Sequence, residues 1–407
     1  MTRDTPNLFF PVLITRHLSL ITPSSSPVFI TGASGFIGGK IAERLLTKGR
    51  RVRVLARRPL PDLAKLGAEV ILGDLADAVA LRRGCDGAGT VFHVAGRVGV
   101  WGPEADFIRV NVEGTRNVIA ACRDTGVQRL VYTSSPSVVY HGGDLSGVDE
   151  SAPLCTKAPC AYPPSKAAAE RLVGEAHSKE LATVSLRPHL VWGPGDKNVV
   201  PRVLALARKG RLKIVGSGRN KVDVTHITNV VDAHLLAEQA LGVSSLIDYK
   251  PPGAAPIGGK AYFITNGEPV VLWNWINQLL RGLGIPEIKQ QVSLGSAYAI
   301  GGVFETLWRV LPLKGEPPMT RFVAKELATD HWFDISAARR DLGYAPRVSM
   351  AAGTAELLAI TKPGTCIDIL EGPRPCGPQH ILLREHLGQC IEHRFARSFI
   401  DPAQSFH

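Results

Sequence analysis

V-F-I-T-G-A-S-G-F-I-G, residues 28–38, joins a short apolar run to a glycine-rich turn and then to good helix formers. V-F-I-T (28–31) reads as a buried strand, and a helix follows over about 36–48. In that setting the three glycines do different things. Gly32 permits the tight turn, Gly35 lets the backbone approach a pyrophosphate, and Gly38 allows the helix to pack closely on the strand. The helix N-terminus then faces the phosphates. A glycine triplet alone is weak evidence, but the strand–turn–helix context is what a dinucleotide-binding turn requires.

Outward from this turn, β-branched runs alternate with helical stretches. R-V-R-V-L-A (51–56), E-V-I-L (69–72), T-V-F-H-V-A (90–95), R-L-V-Y-T-S (129–134) and T-V-S-L-R (183–187) read as strands, with helices near 77–84, 104–124 and 162–180. Such alternation predicts an α/β fold, a Rossmann-type doubly wound parallel sheet with a smaller C-terminal substrate lobe. The expected organisation is an N-terminal extension without fixed order (1–27), a dinucleotide-binding domain (28–188), a substrate lobe interleaved with it (189–360) and a poorly ordered extension (361–407). H-I-L-L-R-E-H-L (380–387) could form a short helix in that tail, and 251–259 reads as a Pro/Gly linker.

Composition narrows the function classes. The net charge of +11 comes without a basic stripe interleaved with aromatics, so nucleic acid is not an expected partner. Six basic side chains are concentrated in 48–58. The seven cysteines form no C-x-x-C pair, which points to reduced thiols, a cytoplasmic protein and no metal. No uncharged apolar run is long enough to span a bilayer, and L-F-F-P-V-L-I (8–14) lacks the marks of a secretory signal.

Three further stretches carry chemistry. L-A-R-R-P (55–59) ends the second strand with Arg57 and Arg58, where an NAD enzyme usually places an acid on the ribose 2′-hydroxyl. Guanidinium groups suit a 2′-phosphate, so NADP(H) is expected over NAD(H). Asp74, in L-G-D-L-A-D, is placed either to accept from the adenine amino group or to act as a plain turn residue. A-Y-P-P-S-K (161–166) sets Tyr162 and Lys166 on one side of a helix start, and an ammonium close to the phenol would draw its pKa toward neutrality.

Together with H-V-A-G (93–96), T-S-S-P-S-V (133–138) and L-R-P-H-L-V-W-G-P-G-D (186–196), these motifs resemble an extended short-chain dehydrogenase/reductase over about residues 28–358. Within that superfamily the chain is similar to the 3β-hydroxysteroid dehydrogenase branch, which includes sterol-4-carboxylate 3-dehydrogenases. R-V-G-V-W-G (97–102), G-K-A-Y-F-I-T-N-G-E-P (259–269), G-E-P-P-M-T-R-F (315–322) and A-R-R-D-L-G-Y-A-P (338–346) look more narrowly like bacterial NADPH-dependent 2-alkyl-3-oxoalkanoate reductases of olefin and β-lactone biosynthesis.

The resemblance implies a site. Tyr162 is the proton donor, Lys166 binds the nicotinamide ribose and lowers the Tyr162 pKa, and Ser135 hydrogen-bonds the carbonyl, with Ser134 as the fallback. Gly32, Ser34, Gly35, Phe36, Ile37 and Gly38 would meet the cofactor phosphates, and Arg57, Arg58, Asp74 and Leu75 its adenosine half. Ala95, Gly96 and Pro188 would complete the cofactor contacts, with His93 beside them and Asn111 pinning the loop. Arg187, Pro188 and Trp192 are expected along the nicotinamide and acyl parts of the cleft, and Trp101 and Phe304 as substrate walls.

The implied reaction is NADP(H)-dependent reduction of the 3-keto group of a hydrophobic 2-alkyl-3-oxo acid. A 3β-hydroxysteroid or sterol-4-carboxylate 3-dehydrogenase is the rival, and a catalytically inactive NADP-binding sensor or scaffold is the alternative from another class. Over 296–311, Ala297, Ile300, Phe304, Leu307, Trp308 and Leu311 recur at spacings of three and four, which predicts a helix with one apolar face and with Glu305 and Arg309 pointing away. That face is read as a lid over the cleft, with burial in the core as the alternative. Peripheral membrane contact, a pathway-enzyme partner and a homodimer stay open.

Overall fold

The computed structural model describes residues 26–246, 256–311 and 313–361. The expected terminal extensions and the 380–387 helix lie outside these residues, as does most of the 251–259 linker. Seven parallel strands form the main sheet: β1 (Val28–Thr31), β2 (Val52–Ala56), β3 (Glu69–Leu72), β4 (Thr90–His93), β5 (Arg129–Thr133), β6 (Ala182–Pro188) and β7 (Ala261–Ile264). Their order is β7-β6-β5-β4-β1-β2-β3. The strand order therefore reverses between β1 and β4, and their carboxyl ends open the crevice where doubly wound sheets bind ligands.

Strand periodicity builds the two layers. Val28 and Ile30 face a core that contains Ile41 and Leu45 of the helix Phe36–Thr47 and Val231 and Leu235 of the helix Ile227–Leu246. Phe29, between them, faces the opposite core with Leu81, Val118 and Val173. A sheet covered on both faces has no polar alternation to show, which is why V-F-I-T is buried throughout.

Sequence position assigns β7 to the substrate lobe, yet it pairs with β6 in the register Ala261↔Ser185 to Ile264↔Pro188. The 104–124 segment is also not one regular helix. Glu104–Phe107 leads into a π-helical stretch, Ile108–Glu113, before the α-helix Gly114–Asp124. Asn111 sits in the wide turn, the position at which such bulges re-aim a side chain.

Beyond β6, a second core gathers around Trp192, Trp273 and Trp275. It packs the helices Val199–Arg208, Leu272–Gly282 and Leu294–Val310 near a four-stranded sheet whose central strands are Lys221–Val222 and His331–Phe333. Among the described residues no helix is long and apolar enough to cross a membrane.

Candidate active site

The glycine turn is held by its own backbone. Gly32 has φ +78°, and a Cβ there would lie 2.6 Å from Ala95 N, so the turn closes directly against the loop after β4. A Cβ on Gly38 would fall 2.4 Å from the Gly32 carbonyl oxygen, which makes that position a helix-on-turn contact. Ser34 and Gly35 are exposed. No side chain caps the helix that begins at Phe36 and Ile37, and its first turn carries no acid. Its free N–H groups suit an anion.

Arg57 and Arg58 are exposed immediately after β2, with no ion-pair partner among the described residues. Asp74 is a turn residue here, since its Oδ1 accepts from Ala76 N at 2.8 Å. Leu75 turns its side chain into the core, where it packs on Gly114, and its carbonyl accepts from Asn117 Nδ2 at 2.8 Å. Among the described residues the turn engages one Asp74 oxygen and leaves Oδ2 free, whereas the Leu75 side chain is turned away from solvent.

The loop after β4 is fixed by a chain of hydrogen bonds. Ala95 N donates to Thr31 Oγ1 at 3.2 Å, and Thr31 Oγ1 lies 2.8 Å from His93 Nδ1. Thr115 Oγ1 donates to the Asn111 carbonyl at 2.6 Å, so it accepts from His93 Nε2, 3.0 Å away. That leaves Nδ1 as the acceptor for Thr31. Burial, reinforced by the Lys166 charge, pushes His93 down to about 3 and keeps it neutral. Asn111 joins the same frame: its Oδ1 accepts from Arg97 N at 2.7 Å and its Nδ2 donates to Ser165 Oγ at 2.9 Å.

Tyr162 opens the helix Tyr162–Glu175, with Pro163 and Pro164 in the first turn where a missing N–H is tolerated. The nearby Ser135 hydroxyl pulls its phenol pKa down, but burial is the larger effect and pushes it up. Ser135 caps the short helix Pro136–Val139, accepting from Ser137 N at 3.2 Å. Ser134 is buried and its hydroxyl has no partner among the described residues, so the two serines divide: Ser135 lies beside Tyr162 and also accepts from Ser137 Oγ at 3.0 Å, while Ser134 faces inward.

Lys166 departs from the expected arrangement. Its ammonium donates to Tyr132 Oη at 2.6 Å and to the Thr133 carbonyl at 2.7 Å rather than to Tyr162. Burial pushes Lys166 down to about 7, with Glu170 opposing. Glu170 is itself engaged by Arg187 through two hydrogen bonds of 2.6 and 3.0 Å. A Cβ on Gly96 would be 3.8 Å from Lys166 Nζ, so the loop after β4 runs past the ammonium.

Of the wall residues expected from sequence, Arg187, Pro188 and Trp192 are buried, while Trp101 and Phe304 stay partly exposed. Arg187 is buried beside Glu170 and the Phe263 ring, and Pro188 is buried at the end of β6 opposite Ile264. Trp192 is 0% exposed, edge-on to Trp275 at 5.2 Å, so it belongs to the second core. Trp101 lies under the Arg309 guanidinium at 5.5 Å. Phe304 is half-buried and stacks edge-on with Trp308 at 6.0 Å. The helix Leu294–Val310 is rotated relative to the sequence reading: Ala297, Gly301 and Glu305 face inward, while Ile300 and Val303 are exposed. Glu305 takes the Arg321 backbone N–H and guanidinium, each at 2.8 Å, so an acid that periodicity turns toward solvent is instead buried and bonded. Tyr132, the Lys166 partner, is a contact that sequence reasoning misses, because nothing in R-L-V-Y-T distinguishes it from any other core tyrosine.

Comparison with known proteins gives a consistent picture. A model of the 3-beta hydroxysteroid dehydrogenase/isomerase family matches residues 29–294. The chain is 45% identical over 335 residues to a 2-alkyl-3-oxoalkanoate reductase of Stenotrophomonas maltophilia, covering 82% of this chain and 98% of the relative. It is 33% identical over 339 residues to the decarboxylating sterol-4-alpha-carboxylate 3-dehydrogenase of Mus musculus, covering 82% and 90%. Among solved structures, MoeE5 in complex with UDP-glucose and NAD is similar with a TM-score of 0.61 and 27% identity, covering 82% of this chain and 97% of that one.

Proposed function

We propose, for a chain that belongs to the 3-beta hydroxysteroid dehydrogenase/isomerase family and is an oxidoreductase of CH–OH groups with a nicotinamide cofactor, that the reaction is NADP(H)-dependent reduction of a hydrophobic 2-alkyl-3-oxo acid to the 3-hydroxy acid. The observation that carries it is the placement of Ser135, just past the carboxyl end of β5, beside the buried Tyr162 phenol, with Lys166 one helical turn along the same helix. The residues fit a dinucleotide: the turn at Gly32 and Gly38 has no room for a side chain, and an uncapped helix end adjoins it. Arg57 and Arg58, without an ion-pair partner among the described residues, favour a 2′-phosphate.

When bound, the nicotinamide supplies the hydride. Ser135 and Tyr162 orient the substrate carbonyl with their hydroxyls, and Tyr162 Oη donates the proton to the oxygen. The raised phenol pKa keeps that proton in place at neutral pH. Lys166 holds positive charge beside the developing alkoxide, and Tyr132 and Thr133 fix its position. A sterol-4-carboxylate dehydrogenase remains the second reading because the mouse relative bears that name. NADPH absorbance loss with a panel of 2-alkyl-3-oxo acids against 3-ketosteroids decides between them: turnover of the steroids alone would overturn the proposal. A cytoplasmic setting, with membrane or partner-enzyme contact at the exposed side of Leu294–Val310, is part of the same reading.

A further inference from the structure

A 2-alkyl-3-oxo acid carries a carboxylate one carbon from the ketone, so a site built around Tyr162 and Ser135 needs a counterpart for that charge nearby. Tyr140 follows the short helix that Ser135 caps. It is 6% exposed, its hydroxyl has no partner among the described residues, and its ring packs at 5.0 Å on Phe322. Such a phenol is a donor without an acceptor, which a folded protein tolerates poorly.

Lys325 comes from a distant part of the chain to the same place. Its ammonium donates to the Gly142 carbonyl at 2.7 Å and lies 5.7 Å from the centre of the Tyr298 ring. It has no carboxylate partner among the described residues. A Cβ built on Gly142 would sit 3.0 Å from Lys325 Nζ and 3.5 Å from Tyr140 Oη, so the phenol and the ammonium converge on one small volume. Gly142 has φ +84°, so the turn that creates this volume favours glycine twice over.

The surroundings tie this volume to the reacting groups. Glu326 faces the Tyr140 phenol, and Cys155 and Cys160 pack in the same cluster as Tyr140 and Phe322. Cys160, whose thiol burial pushes up to about 12, lies two residues before Tyr162 in the chain. Burial, followed by the Glu326 charge, pushes Tyr140 up, so it stays a donor. Glu326 is the acid that would oppose a second carboxylate. Burial pushes it up as well, and His331 Nε2 lies 3.7 Å from its carboxyl oxygen.

We propose that Tyr140 and Lys325 hold the carboxylate of the substrate, and so select oxo acids over neutral ketones. The inference rests on the reaction proposed above, and its test does not require turnover. Binding of a 2-alkylalkanoate and of the 2-alkyl alcohol of the same chain is measured by calorimetry on the full chain with NADP⁺, for the unmutated protein, Tyr140→Phe and Lys325→Met. Both replacements keep the packing. Each should weaken the acid by roughly tenfold, as expected for loss of one charge-assisted hydrogen bond, and leave the alcohol within about twofold. Equal weakening of acid and alcohol, or no change in either, would overturn the subsite. Charge-dependent binding of the acid by a protein that reduces no 2-alkyl-3-oxo acid would support the subsite and strike the reaction instead.

Discussion

The Lys166 ammonium donates to the phenol of Tyr132 at 2.6 Å, and its charge also lies over the Tyr132 ring, 4.2 Å from the centre. This pairing ties the helix that carries Tyr162 to β5, the strand that leads into Ser135. A displacement of either element therefore moves all three polar groups together. It also leaves Lys166 with burial as the dominant influence, which sets its pH behaviour.

The ammonium is present below about pH 7 and is lost as pH rises through that value. Affinity for NADPH in the absence of substrate should fall above neutrality for that reason. Lys166→Ala should lose both cofactor affinity and turnover, and its remaining affinity should be flat across the range. A fluorescence titration of NADPH from pH 6 to 9 checks this; the same slope in both proteins would remove Lys166 from the explanation. The folded pKa is depressed, so the unfolded chain binds the extra proton between about 7 and the ordinary 10.5, and this residue makes stability rise with pH across that window.

Tyr162→Phe should abolish turnover while NADPH binding stays nearly intact, because the ring still packs and only the proton donor is gone. Turnover above about one hundredth of the unmutated rate would end the assignment, since general acid catalysis contributes at least roughly that factor.

NADPH should be preferred over NADH by at least about tenfold, or about 1.4 kcal/mol, a modest value for a guanidinium on a phosphate. Arg57→Ala should erase most of it, read as the ratio of kcat/KM for the two cofactors. Equal use of both by the unmutated protein would mean the arginines serve another surface.

Acid should destabilise the fold before it reaches the ordinary carboxylate range. His93 and His189 are pushed down to about 3 and His234 to about 4, all by burial from 6.5. Below pH 6.5 the unfolded chain takes up protons that the fold refuses, at up to about 1.4 kcal/mol per pH unit for each histidine. Asp223, pushed up to about 6, and Glu150 and Glu326, also raised by burial, oppose this in part, while His226, lowered by burial, adds to it. Thermal melts at pH 7.5 and 5 should show a clear fall in Tm; an unchanged Tm would mean these imidazoles find water.

Glu305→Ala should cost roughly 2 kcal/mol, because it strips the Arg321 backbone N–H and guanidinium of their acceptor. Val303→Ser, on the exposed face of the same helix, should stay within about 0.5 kcal/mol. Urea unfolding of the two variants checks the order, and the reverse order would restore the helix orientation read from sequence.

That orientation shows where sequence reasoning stops. Periodicity locates the helix to within two residues at its start, but it assigns the inward face by hydrophobicity alone. Gly301 decides the matter instead. A Cβ there would lie 2.7 Å from Arg321 N, so the backbones cross at the glycine, and the face around it turns inward with Glu305 included. The glycine turn and the first six strands are legible because each is a local pattern of adjacent residues. Lys166–Tyr132, Glu170–Arg187 and β6–β7 depend on partners 34, 17 and about 76 positions apart, the last counted from Ser185 to Ala261, and no local pattern encodes such a choice. Arg187 and Trp192 meet the same limit: motif position says that a residue lies near the cleft, and only packing says which way it points.

β7 is the outermost strand on its side of the sheet and covers the edge of β6. During synthesis the ribosome delivers β6 long before it delivers Ile264, and the nascent chain must make the whole stretch between them first. Over that interval the backbone of β6 presents unsatisfied N–H and C=O groups, the template on which foreign strands pair. A product released early, by a stop codon or a protease cut ahead of β7, keeps that edge open permanently. The glycine turn and the Tyr162 helix would be complete in such a fragment, and its fate would still be aggregation.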